Sequence, residues 1–229
     1  MSSVPADIVI AVDGPSGSGK SSTSRGVATR LGLRYLDTGA QYRAMTHWML
    51  THGVDVHDPA AVAARCAEPV IESGTDPLEP TIHVDGVDVA VEIRGEAVTK
   101  AVSPVSAVPE VRARILILQR ELIGKGGILV EGRDIGTVVA PDADLKVYLT
   151  ADVAARAARR AAEQGGSDVA ATQQSLAARD RIDSGRDLSP LAMADDAVHI
   201  DTTDFTLDEV IGQIVALVPG ADTKEQTDD

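Results

Sequence analysis

Residues Gly14-Pro15-Ser16-Gly17-Ser18-Gly19-Lys20-Ser21 fit the pattern G-x-x-x-x-G-K-[ST]. Glycines let successive backbone N–H groups turn inward around an anion, and a helix that starts at the lysine points its positive end at the same place. In that arrangement Lys20 reaches the β- and γ-phosphates of a nucleotide and the Ser21 hydroxyl holds Mg²⁺. Ser22 offers the same hydroxyl one residue later, so either serine is a candidate for the metal. The pattern is short, and its setting decides whether it does chemistry. Ile8 to Val12 is an apolar, β-branched run that reads as a buried parallel strand, and Lys20 to Leu31 reads as a helix stopped by Gly32. Strand, glycine loop and helix together are the setting in which the pattern binds phosphate.

A phosphate loop leaves two classes open: a phosphotransferase acting on a small acceptor, and a hydrolytic switch that uses nucleotide to change a partner interaction. The guanine-reading pattern N-K-x-D is absent from the chain. Of the 21 bases 16 are arginine, and ten of those lie between Arg112 and Arg186. A switch leaves them without a task. A transferase must hold a second phosphate compound and screen charge as the γ-group moves, and arginine suits both. Three segments carry the relevant side chains: Asp37-Thr38-Gly39-Ala40-Gln41-Tyr42-Arg43, Glu131-Gly132-Arg133-Asp134-Ile135-Gly136-Thr137-Val138, and Arg179-Asp180-Arg181-Ile182-Asp183-Ser184-Gly185-Arg186. Each falls at or after the end of a strand or helix, where open α/β sheets bind ligands.

The elements that must position them follow from periodicity. Leu33 to Leu36, Ile128 to Glu131, Leu145 to Leu149 and Ala197 to Ile200 read as further short strands. Gln41 to Thr51, Pro109 to Ile123 and a segment from Val169 to Arg181 read as helices, and Thr150 reads as the cap of an Ala/Arg helix ending near Glu163. Thr206 and Glu209 form a capping box for a last helix burying Val210, Ile211, Ile214 and Leu217. Between about Asp55 and Val102 the texture changes to alternation around Asp85-Gly86, a hairpin signal. The expected fold class is α/β: a P-loop NTPase-like parallel sheet flanked by helices, with a small β-rich insert. Residues 1–54 and 103–219 form the core, 55–102 the insert, and 220–229 a disordered tail.

The phosphate loop and the D-T-G-x-x-Y-R, G-R-D-x-G-T-V-V and R-D-x-x-D-x-x-R patterns, in this order, resemble bacterial-type cytidylate kinases, which are P-loop nucleoside monophosphate kinases. The resemblance runs over essentially the whole chain, to about Pro219. It implies transfer of the γ-phosphoryl group of ATP to CMP or dCMP with Mg²⁺, in pyrimidine nucleotide metabolism. The insert becomes the monophosphate-binding unit, and about 155–166 becomes a lid over ATP that Arg156 and Arg160 enter. Gly14 to Ser22 hold the ATP phosphates. Thr38, Tyr42 and Arg43 resemble the acceptor contacts, and Ser103, Arg112 and Asp134 the cytosine readers. Arg133, Arg179 and Arg186 resemble phosphate ligands on the transfer path beside Lys20, and Asp183 the carboxylate for the sugar hydroxyls. Asp37 either orients the magnesium waters or caps the following helix. Many members read glycine and threonine where this chain has Ser21 and Ser22, and an apolar residue where it has Gln41. A P-loop kinase of another small acceptor is the alternative.

Composition narrows the partners. The net charge is −14, and the stretch from Asp187 onward holds 11 acids and a single base, Lys224. Such a chain is poorly suited to coat a nucleic-acid backbone, and its five aromatics (Tyr35, Tyr42, Trp48, Tyr148, Phe205) are too few for base-stacking platforms. The five histidines have no metal-ligand spacing. One cysteine, Cys66, excludes an internal disulfide. With no apolar run of membrane length and no leader-like N-terminus, a cytoplasmic monomer acting on CMP, dCMP and ATP is expected.

Overall fold

A computed structural model describes residues 4–163, 168–186 and 188–221, with the side chains of Glu163 and Arg179 outside the description. In chain order, β1 (Val9–Asp13) leads through the glycine loop into α1 (Lys20–Leu31), followed by β2 (Arg34–Asp37) and α2 (Thr38–Thr51). Then come α3 (Pro59–Arg65), β3 (Ile71–Ser73), β4 (Ile82–Val84), β5 (Val87–Asp88) and a 3₁₀ turn at Glu92–Arg94. Next are α4 (Glu96–Ala107), α5 (Pro109–Ile123), β6 (Ile128–Gly132), a π-helical turn at Ile135–Val139 and β7 (Leu145–Thr150). The chain closes with α6 (Val153–Glu163), α7 (Val169–Ser184), β8 (Val198–Asp201) and α8 (Leu207–Leu217).

Five strands form one parallel sheet in the order β2-β6-β1-β7-β8. β1 and β6 are buried on both faces, which is why they read as unbroken apolar runs. The registers pair Asp13 with Gly132 and Asp37 with Glu131. Three neighbouring strands therefore deliver carboxylates at one edge, next to the glycine loop. Gly14 opens that loop at φ 145°, and a Cβ there would lie 2.0 Å from the Leu149 carbonyl oxygen. At Gly132 a Cβ would lie 2.7 Å from Thr38 Oγ1, so α2 can start only against a bare backbone.

The insert packs β3, β4 and β5 as an antiparallel sheet, with Asp85 and Gly86 both at positive φ as the hairpin signal requires. The Asp85 carboxylate also ties the hairpin down: it accepts from Trp48 Nε1 at 2.9 Å and from Val70 N at 2.8 Å. Trp48 is stacked on His52 with centroids 4.0 Å apart, and the Arg65 guanidinium lies over the Trp48 ring, 4.8 Å from its centroid. Helices α3 and α4 join the three strands, so the stretch is more helical than its alternation suggests. Pro104 inside α4 is the helix breaker that hides that helix in the sequence.

Three local expectations need correction. Thr150 ends β7 and does not cap α6; Asp152 does, accepting from Ala154 N at 2.7 Å, because the Thr150 carbonyl and hydroxyl are drawn to Thr202 and His199 across the sheet. Leu217 is 40% exposed, since the buried stripe of Val210, Ile211, Ile214 and Val215 continues at Val218, 4% exposed. Helix α2 begins at Thr38, three residues earlier than its periodicity shows, with Asp37 as its cap. The tail from 222 and part of the expected lid, 164–166, lie outside the described residues.

Arg34 closes the far end of the core. Its guanidinium donates to the carbonyls of Leu122, Ile123 and Gly126 at 2.7–3.1 Å, satisfying the end of α5. Arg34→Met keeps the aliphatic stem and removes the donors. The urea midpoint should fall by the equivalent of about 2 kcal/mol with an unchanged m-value.

Candidate active site

The glycine loop, the N-terminus of α2, the end of β6 and the inner wall of the insert enclose a cleft of about 200 Å³. Seven lysines and arginines line it against four carboxylates. In a chain of net charge −14, that local excess of positive charge marks the cleft for an anion.

On the loop side, Lys20 is buried and donates to the Pro15 carbonyl at 2.7 Å. Burial, reinforced by Arg133, pushes its pKa well down, while Glu131, Asp13 and Asp180 pull the other way. The Glu131 carboxyl is also buried. Oε1 accepts from the Tyr35 phenol at 2.5 Å, and Oε2 has no hydrogen-bond partner among the described residues. Burial pushes this carboxyl up, and nearby Asp37 adds to the rise; Lys20 opposes it, as does the Ser21 hydroxyl, close by without completing a bond to Oε2. Asp37 Oδ1 accepts from Ala40 N at 3.0 Å, so it caps α2 while lining the cleft. Ser21 and Ser22 are both exposed on the wall. Hard oxygen donors of this kind suit Mg²⁺, which takes one or two carboxylates and its remaining ligands from phosphates and water. No cluster of three or more His, Cys, Asp or Glu gathers among the described residues, and such a site needs none.

The acceptor side is a web of arginine and aspartate. Arg112 donates to Asp134 Oδ2 at 2.5 Å and to the Ser106 carbonyl at 3.2 Å, and stands over the Tyr42 ring at 5.4 Å. Arg186 holds Asp183 Oδ1 and Ser106 Oγ, while Arg133 reaches Asp183 Oδ2 at 3.2 Å. Tyr42 is pushed up to about 12 by burial, so its phenol stays protonated. Thr38 Oγ1 donates to the Glu131 carbonyl at 2.7 Å, and Arg43 donates to Ile93 O and Thr99 Oγ1 in the insert. Two buried N–H groups, Arg112 Nε and Arg186 Nε, find no partner among the described residues.

Thr38, Tyr42, Arg43, Ser103, Arg112, Arg133, Asp134, Asp183, Arg186 and Arg160 all share the cleft wall with Lys20, Ser21, Ser22 and Asp37. Gly14, Pro15 and Ser18 shape the loop from behind the wall. Arg156 also stands behind it: its guanidinium is held by Asp180 Oδ2 at 2.5 Å, Ser16 O at 2.9 Å and Ala151 O at 3.1 Å. Asp180 Oδ1 in turn accepts from Ser16 N at 3.3 Å, so the root of α6 and α7 is tied to the glycine loop. Arg179 lies on α7, its side chain outside the description. Sequence reasoning missed Glu131, Ser106 and Arg94 on the wall, and Asp180 and Asp13 behind it. Asp13 and Glu131 carried a usable signal, as acids ending strands beside the loop.

A glycine loop after the central strand of a parallel sheet, facing a second cationic wall across one cleft, defines a P-loop kinase of a small anionic acceptor. Comparison with known proteins names it further. The chain belongs to the cytidylate kinase family, whose model matches residues 10–220. Relatives named cytidylate kinase include those of Streptomyces griseus, 61% identical over 93% of both chains, Streptomyces coelicolor, 62% over 92% of both, and Nocardia farcinica, 54% over 92% of this chain and 93% of that one. It phosphorylates CMP, with ATP as phosphoryl donor. No helix among the described residues is long and apolar enough to cross a membrane.

The raised Glu131 carboxyl makes a stability prediction. Above neutral pH the native state carries it ionised against the cost of burial, whereas the unfolded chain ionises it freely. The urea midpoint of Glu131→Gln relative to wild type should therefore rise as pH goes from about 5 to about 8, from an offset set by losing the anion beside Lys20. A difference that stays flat or falls over that range contradicts this reading.

Proposed function

We propose that Asp134, Arg112 and Ser103 read the cytosine of CMP or dCMP, that Arg43, Arg133, Arg179 and Arg186 hold the transferring phosphates, and that Asp183 takes the sugar hydroxyls. Cytosine presents an amino donor at N4 and acceptors at N3 and O2, so its reader must mix an acceptor with donors. Asp134 supplies the acceptor, and Arg112 and Ser103 the donors. Uracil reverses the polarity at N3 and at position 4, leaving a buried carboxylate facing a carbonyl oxygen. The observation that carries the reading is the pair of buried N–H groups on Arg112 and Arg186 that have no partner among the described residues, in a cationic cleft. Both await acceptors of the kind a base edge and a phosphate provide.

On the donor side, Gly14 to Ser22 would cradle the ATP phosphates with Lys20 as the buried cation, and Arg160 faces them from α6. Ser21 or Ser22, Glu131 Oε2 and, through water, Asp37 would hold Mg²⁺. When bound, it would supply charge neutralisation to the phosphates. The acceptor is already an anionic oxygen and needs no strong base. The chain's own contribution is alignment, charge neutralisation and exclusion of water.

Rapid ADP formation should require CMP or dCMP. Equal ADP release with and without a monophosphate acceptor would contradict this. Asp134→Asn should narrow the CMP-to-UMP ratio of kcat/KM about tenfold or more, a mispaired buried polar group costing roughly 1–3 kcal/mol. Arg133→Ala should lower both values alike. If Asp134→Asn leaves the ratio unchanged while Arg133→Ala shifts it, base and phosphate recognition have been assigned to the wrong neighbours.

A further inference from the structure

Asp13 is the last residue of β1, directly before the glycine loop, and is 5% exposed. Its Oδ1 accepts from Ile135 N at 2.8 Å and its Oδ2 from Gly136 N at 2.8 Å. Those are the first two amides of the π-helical turn whose cap position is Asp134. The leading N–H groups of any helical turn lack partners within it, and an aspartate at the cap ordinarily supplies one from its own side chain. Here Asp134 does not: its side chain makes no capping bond and is turned to Arg112 instead. The capping has been handed to a carboxylate 122 residues away in sequence.

We propose that Asp13 is a positioning residue for base selectivity: by capping the turn in place of Asp134, it frees the Asp134 carboxylate to face the cytosine site. Asp13 does not line the cleft and does not meet the base. Without it, Ile135 N and Gly136 N are left without acceptors in a buried place, and the nearest carboxylate able to cap them is that of Asp134 itself. Drawn back to its own turn, Asp134 leaves Arg112 and the base edge. The inference deepens the assignment of Asp134 as cytosine reader and rests on it.

Asp13→Asn keeps shape and one acceptor oxygen, and sets an amide N–H₂ against the second N–H; Asp13→Ala removes both acceptors. Because Asp13 adjoins the phosphate loop, either change can slow turnover with every acceptor, so the diagnostic is the ratio of kcat/KM for CMP to that for UMP. The ratio should narrow about threefold or more in Asp13→Asn and about tenfold in Asp13→Ala. In an Asp134→Asn background, Asp13→Asn should narrow it no further, since both changes act through one carboxylate. Circular dichroism and a thermal transition establish that each variant is folded, and the isosteric Asn variant carries the test if the Ala variant is not. If Asp134→Asn narrows the ratio but folded Asp13→Asn leaves it at the wild-type value, the inference fails and the reading of Asp134 stands. Additive narrowing in the double variant likewise overturns it, because Asp13 then acts by another route. If Asp134→Asn itself leaves the ratio unchanged, the reading beneath the inference fails.

Discussion

The site is built around one constraint: a lysine ammonium held out of water beneath a loop that must also receive phosphate. A cation so placed is costly unless anions are near, and anions so placed are costly without the cation. The parallel sheet resolves this by geometry. Strands β1, β2 and β6 end level with one another and bring Asp13, Asp37 and Glu131 to the edge where α1 begins. Lys20 and Glu131 then temper each other's pKa, and Tyr35 anchors the carboxyl by one oxygen while the other has no hydrogen-bond partner among the described residues. Donor chemistry thus depends on strand register as much as on the glycine loop.

Across the cleft the same economy appears in a different form. Arg112, Arg133 and Arg186 are distributed over α5, the end of β6 and the segment after α7, yet they converge on two aspartates, Asp134 and Asp183. Each guanidinium is therefore oriented before any substrate arrives, and rotamer freedom that binding would otherwise remove is already lost. Ser106, a small residue inside α4, receives Arg112 on its carbonyl and Arg186 on its hydroxyl. It links the insert side of the cleft to the end of α7 through two side chains that line the cleft.

Much of this was legible in the sequence because phosphate chemistry is local. A cradle is made by consecutive amides, so its residues must be consecutive, and the motifs around Asp37, Arg133 and Asp183 are compact for the same reason. The parallel core was equally plain in its β-branched runs. The positioning layer was not. Asp13 serves amides more than a hundred residues away, Asp180 holds Ser16 from the opposite end of the chain, and neither partnership leaves a spacing to read. The partners of Arg156, Asp180 and two carbonyls, are likewise brought by the fold and leave no spacing to read. Helix α4 was hidden for a different reason: a proline in its interior cancels the propensity that its burial restores.

The hairpin contact of Trp48 has an optical consequence. Trp48 is the chain's one tryptophan, and it stands where α2 of the core meets the β4–β5 turn of the insert. Its indole N–H is bound to Asp85, its ring is stacked on an imidazole, and a guanidinium lies over it. Indole emission responds to each of those neighbours. The protein therefore carries an intrinsic fluorophore at the joint between the insert and the parallel-sheet core. Its emission reports the seating of the insert on the core, separately from the nucleotide contacts themselves.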